Sequence, residues 1–248
     1  MIEKPMIEKP TQNIFIFTQI ILTLCQYIYY ADSGSNKKEK KMAKVAKDVA
    51  ERRPEEILKA CRDLYATMSF QEISAKTSIS RPSIYTYFES KEEIFLAILK
   101  EEYDCWTEDL LHILQCHNQM TTDEFARTVG HTLAARTTLL KIQCMNLYEI
   151  EEHCRLERLT DFKRSYRRAL EAIDRCLVAY FCQMTEPERL QFCYSFFPFM
   201  YGMYPYAFPT ERQKEAMRQA GISVRKVTVA QLAYECIRKL LGEQTPCP

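Results

Sequence analysis

The chain has 248 residues, a net charge of +1, 47% hydrophobic and 27% charged residues, which is the composition of a folded globular protein with no overall bias toward polyanions. Its five glycines never lie closer than 19 residues apart, which excludes glycine-clustered phosphate loops and the Gly-x-Ser-x-Gly elbow of hydrolases. So few glycines favour long helices over many short strands.

The first 41 residues differ from the rest of the chain. The pentapeptide MIEKP occurs twice in succession, and the apolar stretch at 14–30 is interrupted by threonines and glutamines. That stretch is at the lower limit for a membrane span, and its polar residues disfavour insertion. Residues 1–41 are predicted to be an N-terminal extension that is poorly structured or a lone apolar helix.

A local excess of positive charge follows this extension. Residues 36–62 contain ten lysines and arginines against five acidic residues, a net charge of +5. Because the whole chain is nearly neutral, this excess indicates a basic arm that could contact nucleic acid or an anionic surface.

From Pro54 onward the sequence carries the signals of consecutive helices. In a capping box, a Ser or Thr side chain and a Glu or Gln three residues later bond each other's backbone N–H groups at a helix start. Such boxes begin at Ser69, Ser90, Thr121, Thr185 and Thr210. With almost no alternating strand pattern, they predict an all-α protein. The expected long helices are 54–68, 90–115, 122–142, 145–183, 187–204 and 223–241, with a break at Gly202–Pro205 considered.

No catalytic or metal-binding pattern accompanies these helices. Eleven cysteines are scattered singly and are predicted to be reduced thiols, mostly in the core, of a cytoplasmic protein. His112, Cys116, His117 and Cys105 do not have the spacing of a zinc site. We therefore expect no metal, no cofactor and no enzymatic activity.

The sharpest functional signal is a predicted helix-turn-helix in residues 69–95. Its second helix starts after Ser80, and Ile84 and Phe88, four residues apart, should point inward together. The outer face then carries hydroxyls, two tyrosines and a guanidinium, which suits a major groove better than a core. The outward residues are Arg81, Pro82, Ser83, Tyr85, Thr86 and Tyr87.

The run Ser-Ile-Tyr-Thr-Tyr-Phe followed by Ser-Lys-Glu-Glu-Ile resembles the DNA-binding domain of the TetR (tetracycline-repressor) family of bacterial transcription regulators. The resemblance covers about residues 54–99. It implies a three-helix DNA-binding domain at 42–99, followed by a helical ligand-binding and dimerisation domain at 100–248. It also implies a homodimeric repressor on a palindromic operator, released by a small molecule.

The position of each residue in this motif implies its role on DNA. Bases would be faced by Arg81, Pro82, Ser83 and Thr86, whereas phosphates would be held by Tyr85, Tyr87 and Lys91, with Ser80 at the helix start. A lone cation in a first helical turn opposes the helix dipole, a small cost that a nearby phosphate would explain for Lys91. Backbone or minor-groove contacts would come from Lys44, Lys47, Arg52 and Arg53.

The C-terminal part contains an unusually aromatic segment at 192–208, in which 195–208 alone has seven aromatic residues in fourteen. Core plus dimer interface is favoured over ligand lining, and a homodimer through about 187–204 and 223–241 would form a four-helix bundle. The candidate ligand-binding residues are Trp106, Phe125, Met145, Tyr148, Tyr180 and Tyr201. They would suit a flat or apolar small molecule with few polar groups.

One alternative from a different class stays open. A helical, membrane-associated binding or scaffold protein without sequence-specific DNA binding would use 14–30 as its anchor and the basic run on lipid. Specific binding to a palindrome would indicate the repressor, whereas membrane recovery of the full chain but not of a chain starting at Met42 would indicate the alternative. We expect the repressor, with double-stranded DNA, a second copy and a small molecule as partners and no membrane.

Overall fold

The computed structural model describes residues 53–61, 79–145, 147–223 and 225–244. The chain divides into two units, Met1–Met42 and Ala43–Pro248, and every described residue belongs to the second. The predicted N-terminal extension, with its apolar stretch, lies outside the described residues. In the described ranges all regular structure is helical, which confirms the all-α prediction. None of the described helices is both long and apolar enough to cross a membrane.

The helices follow one another with short connections. In chain order they are α1 (53–61), α2 (Arg81–Tyr87), α3 (Lys91–Cys116), α4 (Thr122–Ala134), α5 (Thr137–Gln143), α6 (Leu147–Glu152), α7 (Leu156–Tyr180), α8 (Glu186–Ala207), α9 (Glu211–Gln219) and α10 (Val229–Leu241). The predicted domain boundary at residue 99 falls within α3, the helix that continues from the DNA-binding motif into the C-terminal part.

Local capping signals set the starts of several helices. The boxes at Thr121, Thr185 and Thr210 form as predicted. Thr228 forms a further box with Gln231, which the sequence analysis overlooked because it placed the helix start at 223. The predicted box at Ser69 lies outside the described residues. The helix starts in the C-terminal part are therefore encoded within four-residue windows.

Several other predicted helix boundaries were also wrong. The helix predicted at 122–142 is divided into α4 and α5, and the one predicted at 145–183 is divided into α6 and α7, although no glycine or proline marks either break. The opposite error concerns α8, which continues through Gly202 and Pro205 to Ala207. Packing of the apolar faces thus overrides the local breakers in α8.

The core is built around α3. This helix packs against α4, α5, α6 and α7, while α8 packs against α5, α7 and α10. An aromatic group at its centre links three helices, with ring centroids 5.7 Å apart for Trp106 and Phe197 and 5.3 Å apart for Tyr103 and Tyr166. Tyr103, Trp106 and Phe197 are fully buried, and each such side chain contributes about 1.5–3 kcal/mol to the stability of the domain.

A close helix pair, α4 and α10, forms one side of the domain. A Cβ placed on Gly130 would lie 2.8 Å from the carbonyl oxygen of Ala230, so the two backbones approach closely at this point. The hydroxyl of Tyr234 donates a hydrogen bond to Asp123, and the guanidinium of Arg127 lies 5.0 Å from the centroid of the Tyr234 ring. Gly130 is therefore required by packing rather than by a turn.

Most of the described cysteines are free thiols, but only three of these eight are buried, so the expectation that they lie mostly in the core was wrong. The free ones are Cys61, Cys105, Cys116, Cys144, Cys154, Cys176, Cys193 and Cys236, and burial raises the pKa of Cys61 and Cys176 to about 12. Cys182 departs from the expectation of reduced thiols, since it is disulfide-bonded.

Candidate nucleic-acid interface

The second helix of the predicted helix-turn-helix is α2, a seven-residue helix with well-defined ends. Ser80 precedes it in an extended conformation, and its carbonyl accepts the N–H of Ile84 at 3.1 Å. Pro82 stands in the first turn, where its missing N–H has no intrahelical partner to lose. The chain becomes extended again at Phe88, whose N–H donates to the carbonyl of Ile84 at 3.0 Å. We call α2 the recognition helix.

The buried side of the recognition helix is the predicted one. Ile84 and Phe88 are 0% and 2% exposed, so both anchor the helix in the core. This orientation turns the opposite side to solvent, where the ring of Tyr85 is 45% exposed. The other exposed residues are Ser80, Pro82 and Thr86, and Ser83 is half-buried with its hydroxyl 2.9 Å from that of Ser80.

Besides Tyr85, two other residues, Tyr87 and Lys91, were expected to contact phosphates, and they differ in exposure. Tyr87 is half-buried and packs against the core, so less of its ring is exposed than its position in the motif implied. Lys91 is the first residue of α3, with its side chain 56% exposed and its Nζ 3.8 Å from a carboxylate oxygen of Glu92. An ion pair this exposed is weak and does not prevent the ammonium from contacting a phosphate.

The side chains of most of the remaining candidate DNA-binding residues lie outside the described part of the chain. The side chain of Arg81 lies outside the described residues, as do Lys44, Lys47 and Arg52. Arg53 is exposed at the beginning of α1.

The exposed face of the recognition helix has the chemistry that DNA requires. It offers hydroxyl groups, a phenol and apolar proline and threonine carbons, with no acidic residue in the seven-residue helix. Hydroxyl groups can bond to phosphate oxygens and base edges, and apolar carbons can contact the thymine methyl group. A surface of this kind can approach a polyanion without an opposing charge on the helix itself.

A buried ion pair lies directly behind the recognition helix. The side chain of Glu93 is 1% exposed, and its carboxylate accepts hydrogen bonds from Nε and Nη2 of Arg155 at 2.6 and 2.7 Å. It also accepts the backbone N–H of Glu89 at 3.0 Å. Burial alone would raise the pKa of Glu93, but these hydrogen bonds and the guanidinium charge lower that pKa to about 2. The carboxylate is therefore ionised at neutral pH.

The same cluster contacts the end of the recognition helix. The carbonyl of Tyr87 accepts a hydrogen bond from Nη2 of Arg158 at 2.9 Å, and Nη2 of Arg155 lies 3.5 Å from it. The guanidinium of Arg158 also lies 5.5 Å from the centroid of the Phe88 ring. This cluster was not predicted from the sequence, because the basic run that starts at Arg155 has the pattern of a solvated helix face. The signal available in the sequence was Glu93, an acidic residue next to the apolar run Ile94, Phe95 and Leu96, which is buried.

Five of the six candidate ligand-binding residues belong to the hydrophobic core or pack against it, and the sixth, Tyr148, is exposed. Trp106 is fully buried, contacts Phe197 and donates its Nε1–H to Thr132 at 3.1 Å. Phe125 and Tyr180 are buried together, with ring centroids 6.0 Å apart. Met145 and Tyr201 are partly buried against the core, whereas Tyr148 is 72% exposed.

Sequence analysis also missed a polar pair inside the aromatic core. The Nε2 of Gln143 donates to the hydroxyl of Tyr103, and both side chains are buried. The Oε1 of Gln143 is buried and has no hydrogen-bond partner among the described residues. If the amide were turned over, the NH₂ group would be left in its place, so one polar group remains to be satisfied in either orientation.

His112 and Cys116 are neighbours, with Nε2 3.3 Å from Sγ. Among the described residues, no group of three or more His, Cys, Asp or Glu side chains is arranged to hold a metal ion.

Comparison with known families decides the assignment. Residues 65–98 match the model described as bacterial regulatory proteins, tetR family, and residues 100–241 match the model described as tetracyclin repressor-like, C-terminal domain. The chain belongs to the TetR family. As a member it is a DNA-binding transcriptional regulator of a ligand-responsive class, and the family is one of regulators that are generally not enzymes.

Several solved structures of transcription regulators are similar to this chain at low sequence identity. FadR from Bacillus subtilis in complex with stearoyl-CoA has a TM-score of 0.50 and 14% identity, covering 76% of this chain and 97% of that one. A putative fatty acid metabolism regulator from Clostridium perfringens has a TM-score of 0.48 and 18% identity, covering 75% and 96%. A putative TetR-family regulator from Mesorhizobium loti has a TM-score of 0.48 and 18% identity, covering 77% and 96%. No curated protein matches the sequence of this TetR-family chain.

Proposed function

We propose that this TetR-family chain is a cytoplasmic homodimeric repressor that binds a palindromic operator and is released by a small molecule. The observation that carries the proposal is the orientation of the recognition helix. Because Ile84 and Phe88 are buried, Tyr85 and Thr86 face solvent on a helix without acidic residues. Two such helices in a dimer would enter successive major grooves about 34–36 Å apart. No catalytic role is proposed for any residue.

The proposed DNA contacts divide into two groups. Base edges would be contacted by Arg81, Pro82, Ser83 and Thr86 from the N-terminal part of the helix, where side chains reach deepest into the groove. Phosphates would be contacted by Tyr85, Tyr87 and Lys91, and the arm with Lys44 and Arg52 would add contacts to the backbone.

Selection of duplexes from a random pool tests the proposal. The wild-type protein should enrich a palindrome, and Tyr85→Ala should weaken binding to it by about tenfold because a phenol contact to the phosphate backbone is lost. Binding is measured by gel shift or fluorescence anisotropy, and retained folding by circular dichroism.

Ile222→Ala is a suitable control, since it truncates an exposed apolar side chain, 57% exposed, between α9 and α10. It should bind the selected duplex like the wild type. Failure to enrich any sequence, or equal binding by Tyr85→Ala, would contradict the proposed interface.

The exposed side of α8 supports the proposed homodimer. Phe199 is 38% exposed and Tyr206 is 71% exposed, and a Cβ placed on Gly202 between them would meet nothing within 4 Å. Glycine inside a helix costs about 1 kcal/mol relative to alanine, and no neighbour among the described residues requires it there. A partner helix that crosses close to Gly202 would explain both the glycine and the exposed aromatic rings.

Gly202→Leu is expected to shift the protein from dimer to monomer at micromolar concentration. Within one chain the new side chain has free space, so the fold should be retained, whereas a closely approaching partner helix would be blocked. Molar mass is measured by light scattering during gel filtration. Ala216→Leu, on the exposed surface of α9, adds a leucine of the same size away from this face and should leave the mass unchanged. An unchanged mass for both variants would remove this side of α8 from the interface.

The interior of the C-terminal domain supports the proposed ligand class. Its aromatic side chains suit an apolar body, and the unsatisfied amide of Gln143 suits one polar group of the ligand. Phe125, Tyr180 and Trp106 are the buried aromatic candidates, and Met145 and Tyr201 lie at the edge of the core. Because stearoyl-CoA occupies the Bacillus subtilis FadR structure, long-chain acyl-CoA is the first probe for release from DNA.

A further inference from the structure

The recognition helix depends on its surroundings for its orientation. It has seven residues, and a helix this short forms too few backbone bonds to be stable alone. Its last carbonyl groups have no intrahelical partner, and cations near a helix C-terminus satisfy such groups and favour the dipole. No basic residue lies in its last turn. A cation that satisfies these groups can therefore come only from outside the helix.

The beginning of α7 supplies this cation. Arg158 donates to the carbonyl of Tyr87, the last residue of the recognition helix, at 2.9 Å, and its guanidinium also covers Phe88. These groups are 71 residues apart in the sequence. The contact is therefore a tertiary one, made only when the C-terminal part is docked behind the recognition helix.

Arg155 holds the adjoining segment in the same way. Its guanidinium is fixed by Glu93 and also lies 3.2 Å from a carboxylate oxygen of Glu89, in the connection between the recognition helix and α3. The hydroxyl of Ser90 in that connection donates to the carbonyl of His153, just before α7, at 3.2 Å. All these contacts join the segment that follows the recognition helix to the start of α7.

We propose that Arg158, supported by Arg155, is a positioning residue that sets the angle of the recognition helix on DNA. This inference rests on the proposed DNA-binding function. The residue acts through the Tyr87 carbonyl and the Phe88 ring and does not itself contact the duplex. Displacement of the start of α7 would then change DNA affinity directly, in addition to any movement of α3.

Arg158→Met tests this role with little disturbance of packing. Methionine keeps an apolar stem over Phe88 but cannot donate to the Tyr87 carbonyl. We expect affinity for the duplex selected by the wild type to fall by about tenfold, because one charge-assisted hydrogen bond is lost. Affinity for unrelated duplex DNA, which depends mainly on charge, should be almost unchanged. Arg158→Lys, which restores a charged donor, should recover most of the lost affinity.

Arg164→Met is the matched control. It removes the same charge from the same helix, but the ion pair that Arg164 forms with Asp161 lies within α7 itself. It should bind the selected duplex within about twofold of the wild type. Thermal unfolding of each variant should show a folded protein at the assay temperature.

The salt dependence of binding separates positioning from direct contact. A residue that contacts phosphate contributes about one unit to the slope of the logarithm of the binding constant against the logarithm of the salt concentration. Lys91→Ala should therefore reduce this slope by about one unit. Arg158→Met should leave that slope unchanged. Equal affinity of Arg158→Met and wild type, or a slope reduced by about one unit, would overturn the positioning role. If the wild type itself selects no duplex, the proposed function fails, which is a different result.

Discussion

Arg155→Ala is expected to lower the free energy of unfolding by about 3–5 kcal/mol at neutral pH. The variant would leave the Glu93 carboxylate, 1% exposed, without the guanidinium that donates to it at 2.6 and 2.7 Å. An uncompensated buried charge is costlier than the loss of both partners. Glu93→Gln in the Arg155→Ala background should therefore recover part of the lost stability.

The pH dependence of stability provides an independent test of this ion pair. The pKa of Glu93 is lowered from 4.5 to about 2, so the folded state binds the proton less tightly than the unfolded state does. The pair therefore contributes its full stabilisation, about 3 kcal/mol, above about pH 5, and loses it as the pH falls toward 2. Arg155→Ala removes the guanidinium charge and its hydrogen bonds, so the pKa of Glu93 should rise, and lowering the pH should destabilise this variant less than the wild type.

Denaturant unfolding at pH 7, 5 and 3 measures both effects. The difference between wild type and Arg155→Ala should be largest at pH 7 and smallest at pH 3. Arg167→Ala removes an arginine of α7 whose ion pair with Glu171 is about 60% exposed on both sides, and it should change stability little at any pH. A constant difference across the pH range would show that Glu93 is not the origin of the loss.

Gly130→Ala is expected to lower the free energy of unfolding by about 2 kcal/mol, although alanine is the better helix former. The new Cβ would lie 2.8 Å from the Ala230 carbonyl oxygen, a backbone atom that cannot move without shifting α10 against α4. Such a shift would also disturb the contact between Tyr234 and Asp123.

Ala216→Gly calibrates the propensity contribution, because Ala216 is exposed on α9 and has no such neighbour. It should cost about 1 kcal/mol. If propensity alone governed both sites, Gly130→Ala would stabilise the protein by a similar amount. A gain in stability for Gly130→Ala, measured by denaturant unfolding, would therefore rule out the close approach of α4 and α10.

Features encoded within a few residues were predictable from the sequence. Thr121, Thr185 and Thr210 each form a box with a residue three positions later, and Ile84 and Phe88 are buried together because they lie one helical turn apart. The family assignment also came from a local motif, and the family comparisons confirmed it. The DNA contacts of individual residues remain predictions.

Features that depend on distant parts of the chain were not predictable. Arg155 and Arg158 have the pattern of a solvated face, yet their partners lie more than sixty residues earlier. The breaks after α4 and α6 carry no glycine or proline, so no local signal in the sequence indicated them. The pairing of Gln143 with Tyr103 likewise needs α3 and α5 to be adjacent, which no local pattern indicates.

The two prolines inside α8 affect the stiffness of that helix. Because proline has no N–H, Pro198 and Pro205 each remove one rung of the backbone hydrogen-bond ladder, and Gly202 stands between them. The helix that contributes Phe197 to the aromatic core on one side and Phe199 to the surface on the other thus has fewer internal bonds than an uninterrupted helix of its length. Bending this helix therefore costs less free energy than bending an uninterrupted one. A change in the bend would displace the buried ring of Phe197 and the exposed ring of Phe199 together.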